Sequence, residues 1–368
     1  MKLDGVKVLD LSRFLPGPYL AMMMADHGAE VVKIESAEGE PTRHIGPDVG
    51  GQTAYFRNTQ RGKKSVVLDL KSADGRQAFL DLAKTADVII DSFRPGVVDK
   101  LGIGYDAVRP IAPGIVYCSL SAFGQTGALR MRPSHDLGAQ ALSGVLSLSR
   151  DADGRPAMPA LPMADIALAM TALSGILMAL YRRTQTGQGD FLDASMLDAL
   201  APWAAPIAHD VFGRGEAPTI ARERLHGGSA FYNIYETADG RHLVLSGSEP
   251  RFVESLLNAL GRPDLIAQCR KPAGPDHEPV KAFLADTFRA GALAEWEERL
   301  EKVDVCFAPV RDLAEGLLQP QLRERGVVVE RPDGTFRFGT PILFREEPGR
   351  PADRGPDFGE HTAEVLGP

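Results

Sequence analysis

Between residues 6 and 120, short runs of β-branched and apolar side chains alternate with stretches of helical periodicity, and this rhythm leaves few folds open. Residues 6–10, 31–35, 65–70, 87–91 and 115–120 read as strands, and 18–28 and 75–85 as helices between them. Strands joined through helices run parallel, because a parallel connection must cross the sheet. The fold class expected is therefore α/β, with functional loops at the carboxyl ends of the strands.

Beyond residue 130 the pattern turns helical, over 136–147 and again over 165–183. The second stretch is rich in Ala, Leu and Met, carries few charges, and ends in Arg182-Arg183 before Gly187, as a buried helix would. Residues 201–228 mix Pro, Gly and scattered charge and read as a linker. A second α/β segment follows over 229–326, with a strand at 242–245 and helices near 250–260, 278–290 and 293–302. The tail 327–368, rich in Pro, Gly and Arg, is expected to return to the first domain, which spans 1–200. A chain of 368 residues exceeds what one hydrophobic core supports, so two domains are expected.

Composition removes several function classes. A net charge of −8 argues against a nucleic-acid partner, which needs a basic face for phosphates. Cys118, Cys269 and Cys306 lie far apart, which suits reduced thiols better than a disulfide framework or a metal cluster. The first residues lack the apolar core of a signal peptide, and no uninterrupted apolar run reaches the roughly 20 residues that span a bilayer. A cytoplasmic protein without membrane partner, metal or prosthetic group is expected. Dinucleotide, P-loop, zinc-protease and nucleophile-elbow fingerprints are absent.

Four loop segments remain as carriers of chemistry. In Arg130-Met131-Arg132-Pro133-Ser134-His135-Asp136, Ser134 is placed to cap a helix and His135 to sit in its first turn, where the positive helix end favours a neutral imidazole. Asp165 heads the long helix, and Glu249 stands where a strand gives way to a helix. Each also has a plain structural reading, as a surface histidine, an N-cap and a first-turn acid. Arg57, Arg61, Lys63, Lys64 and, at the end of a strand, Arg94 form basic clusters suited to a phosphorylated ligand.

In order along the chain, Val8-Leu9-Asp10-Leu11-Ser12-Arg13, Ala25-Asp26-His27-Gly28-Ala29-Glu30, Phe93-Arg94-Pro95-Gly96, Phe123-Gly124-Gln125-Thr126-Gly127 and Thr186-Gly187-Gln188-Gly189 with Asp193-Ala194-Ser195-Met196-Leu197-Asp198 make a specific pattern. It resembles the family III coenzyme A transferases (the CaiB/BaiF family), which include the α-methylacyl-CoA racemases. The resemblance implies a Rossmann-like large domain with a parallel sheet, a smaller α/β domain and an interlinked homodimer. It implies an acyl-CoA thioester as substrate, joined by a free carboxylic acid in a transferase. Arg57, Arg61, Lys63, Lys64, Arg94 and Asp136 are then the expected CoA contacts; Ser36 stands where relatives often carry a base.

The resemblance also implies two chemistries. In a transferase Asp165 is the nucleophile that forms an acyl anhydride and then an aspartyl-CoA thioester. In a racemase of 2-methylacyl-CoA, His135 and Asp165 exchange the α-proton, and Glu249 orients the histidine. His135 and Asp165, 30 residues apart, favour the racemase. Leu137-Gly138-Ala139-Gln140 and Asp165-Ile166-Ala167-Leu168 look more like the transferase branch. On the residues that do chemistry, racemisation is placed first and CoA transfer second. A CoA-binding protein without catalysis is a minor third reading.

Overall fold

The computed structural model describes residues 1–151, 153–332 and 334–367. It divides the chain into two compact units, Met1–Ala204 with Pro320–Pro368, and Ala205–Gln319.

The first unit is an α/β body on a six-stranded parallel sheet. Its elements are β1 (Lys7–Asp10), α1 (Pro16–Asp26), β2 (Glu30–Glu35), α2 (Ala54–Gln60), β3 (Lys64–Val67), α3 (Ala73–Ala83), β4 (Val88–Asp91), α4 (Val97–Leu101), α5 (Tyr105–Val108), β5 (Val116–Ser121), α6 (Asp136–Leu142), α7 (Met163–Thr186), β6 (Asp190–Ser195) and α8 (Met196–Leu200). The strand order is β3-β2-β1-β4-β5-β6, the doubly wound Rossmann arrangement. Strand residues alternate between two cores. Val8, Val88, Ile90, Val116 and Cys118 face α1 and α7, while Leu9, Ile89 and Tyr117 face Phe79 and Val108 on the other side. Both faces are covered, so the strands read as apolar runs.

Helix α7 follows from the same logic. It is long and apolar enough by composition to cross a membrane, yet Ala164, Ala167, Leu168, Ala172 and Ile176 pack into the core with α1. It stops at Gly187, whose φ of 69° gives the left-handed turn that ends a helix. Strand β6 was readable only as a motif, because its first four residues, Asp190 to Asp193, are largely exposed along the sheet edge and begin and end on aspartate.

The expected linker over 201–228 consists instead of short helical turns, including Ala201–Ile207 and α9 (His209–Arg214). Its prolines and glycines punctuate these turns rather than extend the chain. The second unit holds an antiparallel sheet of β7 (Tyr232–Glu236), β8 (His242–Ser246) and β9 (Phe307–Pro309), in that order. Helices α10 (Pro250–Ala259), α11 (Ile266–Cys269), α12 (Glu278–Phe288) and α13 (Leu293–Leu300) accompany it, with Phe231, Leu256, Phe288 and Trp296 at the core.

The tail is stitched onto the first unit by main-chain contacts. The Arg61 guanidinium donates to the carbonyls of Phe338 and Gly339 at 3.1 Å each, the His361 N–H donates to the Ser65 carbonyl at 2.9 Å, and the Val67 N–H donates to Thr362 Oγ1 at 3.1 Å.

Candidate active site

In a doubly wound sheet the crevice opens where strand order reverses, here between β1 and β4. The loops leaving those strands part at this point, and the Arg13 N–H ties them by donating to Ser92 Oγ at 2.9 Å. Phe14, on the first loop, has φ 66°, the one positive φ among the described non-glycine residues. Such a backbone costs about 1–3 kcal/mol in a bulky residue and needs outside support. Glu40 supplies it by accepting the Phe14 N–H at 3.0 Å, while Glu40 is itself paired with buried Lys33 at 3.0 Å. The Phe14 ring then meets the His135 imidazole edge-on, with centroids 5.8 Å apart.

These loops wall a cleft of about 360 Å³ that also contains Arg94, Arg130, Arg132, His135 and Asp165. A second cleft of about 530 Å³ lies over the ends of β2 and β3 and shares Arg13 and Phe93 with the first. Ser36 and Lys71 line it.

Asp165 sits in the first turn of α7, and its backbone is held from outside the helix. Asp136 Oδ1 accepts the N–H groups of Ala164 at 2.7 Å and Asp165 at 3.2 Å, a capping role that Pro162 cannot fill. Asp136 Oδ2 accepts from Gln140 Nε2 at 2.6 Å. Burial, with the Asp136 carboxylate adding to it, pushes the Asp165 carboxyl up to about 7. Tyr55 is pushed up to about 12 by burial and by the charges of Asp165 and Glu40.

His135 shares the cleft but is less firmly held. Helix α6 begins one residue later than expected, so His135 is the N-cap rather than a first-turn residue. Ser134 does not cap; its hydroxyl donates to the His135 carbonyl at 3.1 Å. Among the described residues of the first unit no hydrogen bond reaches either His135 ring nitrogen. Glu249 belongs to the second unit, at the N-cap of α10.

The expected phosphate contacts separate into different roles. Arg94 lines the cleft with Asp165. Arg61 is buried, forks onto Asp26 at 2.6 and 3.0 Å, and also donates to tail carbonyls. Lys63 is buried as well. Its ammonium is buried against Asp10 Oδ2 at 2.8 Å, the Pro18 carbonyl and Gln60, and burial pulls it down to about 8. Burial alone would raise Asp10, but the charges of Lys33 and Lys63 hold it below the ordinary carboxylate range. Lys64 pairs with Glu30 at 2.7 Å and Glu364 at 2.8 Å. Arg57 is half-buried and donates to the carbonyls of Val49 at 2.7 Å and Asp353 at 3.3 Å. Asp136, expected to touch CoA, has both oxygens committed to α7 and Gln140.

Sequence reasoning passed over Arg13, Arg130, Arg132 and Lys71, which line the clefts and carry no ion pair among the described residues. Their signal was position, since Arg13 leaves the end of β1 and Arg130 and Arg132 immediately precede the His-Asp pair.

The family model described as CoA-transferase family III matches residues 3–362. The chain belongs to that family. It is 33% identical to the acetyl-CoA:oxalate CoA-transferase of Acetobacter aceti, over 95% of this chain and 92% of that protein. It is 34% identical to the human alpha-methylacyl-CoA racemase, over 100% of this chain and 93% of the racemase. Human succinyl-CoA:glutarate CoA-transferase is 30% identical, over 99% and 85%. A solved CaiB/BaiF family protein from Brucella suis superposes with a TM-score of 0.85 at 30% identity, covering 99% of this chain and 98% of that one. The family III chain is thus an acyl-CoA enzyme of a group containing both transferases and a racemase.

Proposed function

We propose that this enzyme moves coenzyme A between carboxylic acids, with Asp165 as the nucleophile. The observation that carries the reading is the contrast between the two cleft residues. Asp165 has its helix start fixed by Asp136 and Gln140, whereas neither ring nitrogen of His135 has a partner among the described residues of the first unit. A histidine that shuttles protons is normally oriented through its second nitrogen. The preponderance of CoA-transferases among similar proteins supports the same order.

In this reading the Asp165 carboxylate attacks the thioester carbonyl and expels CoA thiolate, leaving an acyl-aspartyl anhydride. The thiolate attacks the aspartyl carbonyl and releases the donor acid, leaving aspartyl-CoA. The acceptor carboxylate displaces the thiolate to form a second anhydride, and the thiolate returns to the acceptor's acyl carbon. Charge and atoms balance, with no other reactant. Arg13, Arg94, Arg130 and Arg132 supply cationic contacts for CoA and the incoming carboxylate, and the cleft over β2 and β3 takes the nucleotide.

Racemisation is the second reading, favoured by the placement of His135 and Asp165 in one cleft. Incubation with a 2-methylacyl-CoA and dicarboxylic acyl-CoAs in deuterated water, with and without free acids, separates the two. Transfer requires the acid and leaves the α-carbon unlabelled, and hydroxylamine converts the activated Asp165 carboxyl to a hydroxamate. Deuterium at the α-carbon without an acid would establish racemisation instead. Exposed Met170, Leu177, Met178 and Tyr181 along α7 support a homodimer that covers this face. Sedimentation showing a folded monomer at nanomolar concentration would exclude an interlinked one.

A further inference from the structure

We propose that Asp136 is a positioning residue for the Asp165 chemistry, holding the first turn of α7 from α6 and setting the charge environment in which Asp165 works. The inference rests on the reading that Asp165 reacts, and it holds for nucleophile and proton carrier alike.

The geometry is specific. Pro162 precedes α7 and offers no side-chain cap, so the orphan N–H groups of Ala164 and Asp165 are taken by a carboxylate from another helix. The same carboxylate is braced from behind by Gln140, which is fully buried. Two acids are thereby locked to one helix start, and the Asp136 charge opposes ionisation of Asp165. The groups facing Asp165 from surrounding elements are Asp136 and His135 at α6, Tyr55 on α2, and the arginines Arg13, Arg94, Arg130 and Arg132 at the cleft. Asp136 is the negative charge that acts on Asp165 from the neighbouring helix, and its effect agrees with the upward displacement of Asp165.

Gln140 makes the charge separable from the hydrogen bonds. Its Oε1 has no partner, so an amide at position 136 can keep accepting the two helix N–H groups while donating to a turned Gln140. Asp136→Asn therefore removes the charge and retains the cap.

The test compares kcat/KM against pH for wild type and Asp136→Asn in acyl-CoA turnover, together with the chemical shift of the Asp165 carboxyl carbon against pH in ligand-free protein. Expected is an acid limb and a carboxyl titration moved down by roughly one pH unit, with KM for acyl-CoA within about twofold of wild type. An unmoved titration in the folded variant overturns the proposal. A KM raised about tenfold with both pH curves in place would return Asp136 to the CoA contacts and also overturn it. The carboxyl titration needs no turnover, so it tests Asp136 even if Asp165→Asn proves fully active and the nucleophile reading fails. Should Asp136→Asn not fold, Asp136→Ser keeps an accepting oxygen and carries the same two measurements.

Discussion

Replacing Asp165 by Asn should stabilise the protein, and only above a defined pH. In the folded chain its carboxyl lies near 7, against an ordinary value of 3.8. A group whose folded pKa is raised opposes folding wherever the unfolded chain has already ionised it, which begins near pH 4. The penalty grows as pH rises to about 7 and is constant beyond. A rise of about 3 units corresponds to about 4 kcal/mol at full strength. The cleft is open to water, so screening brings the expected gain nearer 2 kcal/mol. In a domain of this size that is roughly 5 °C in melting temperature. Thermal unfolding of wild type and Asp165→Asn should give near-coincident midpoints at pH 4 and the full separation at pH 8. An equal separation at both pH values, or none at pH 8, would refute the electrostatic argument.

Arg94→Ala should weaken acyl-CoA binding about ten- to a hundredfold by calorimetry, since a charge-assisted contact is worth about 1.5–3 kcal/mol. Arg61→Ala should instead lower stability by about 3–5 kcal/mol in urea unfolding, by stranding buried Asp26, with acyl-CoA affinity kept in the folded fraction. Lys63→Met should behave in the same way through Asp10, and weakened CoA binding without lost stability would restore Lys63 to the ligand site. Phe14→Gly should not lower the melting temperature, because glycine accepts a φ of 66° without strain, while turnover falls with the loss of the ring beside His135.

The strands from 8 to 120 were legible because buried parallel strands must be apolar on both faces, as Val8 and Leu9 show by facing opposite cores. Strand β6 was not, since an exposed edge places no such demand on Asp190 to Asp193. Asp165 and His135 were legible from their places at helix starts. The pairing of Arg61, Lys63 and Lys64 was not legible for a physical reason: the acids that meet them, Asp26, Asp10 and Glu30, lie on other elements, and charge pairing between elements leaves no local pattern. Asp136 was assigned to CoA because nothing in the sequence says that a carboxylate will cap a helix 28 residues away.

The return of residues 320–368 to the first unit has a consequence for how the protein is made. On a ribosome, residues 205–319 emerge as an unbroken stretch and have every partner they need. The sheet that carries the reactive carboxylate does not. Until residues 338–362 have emerged, Ser65 and Val67 on edge strand β3 lack His361 and Thr362, and Arg61 lacks the carbonyls of Phe338 and Gly339. The later-coded unit is thus the earlier to mature, and the Rossmann body waits with an open edge, the interval in which a nascent chain is most dependent on chaperones.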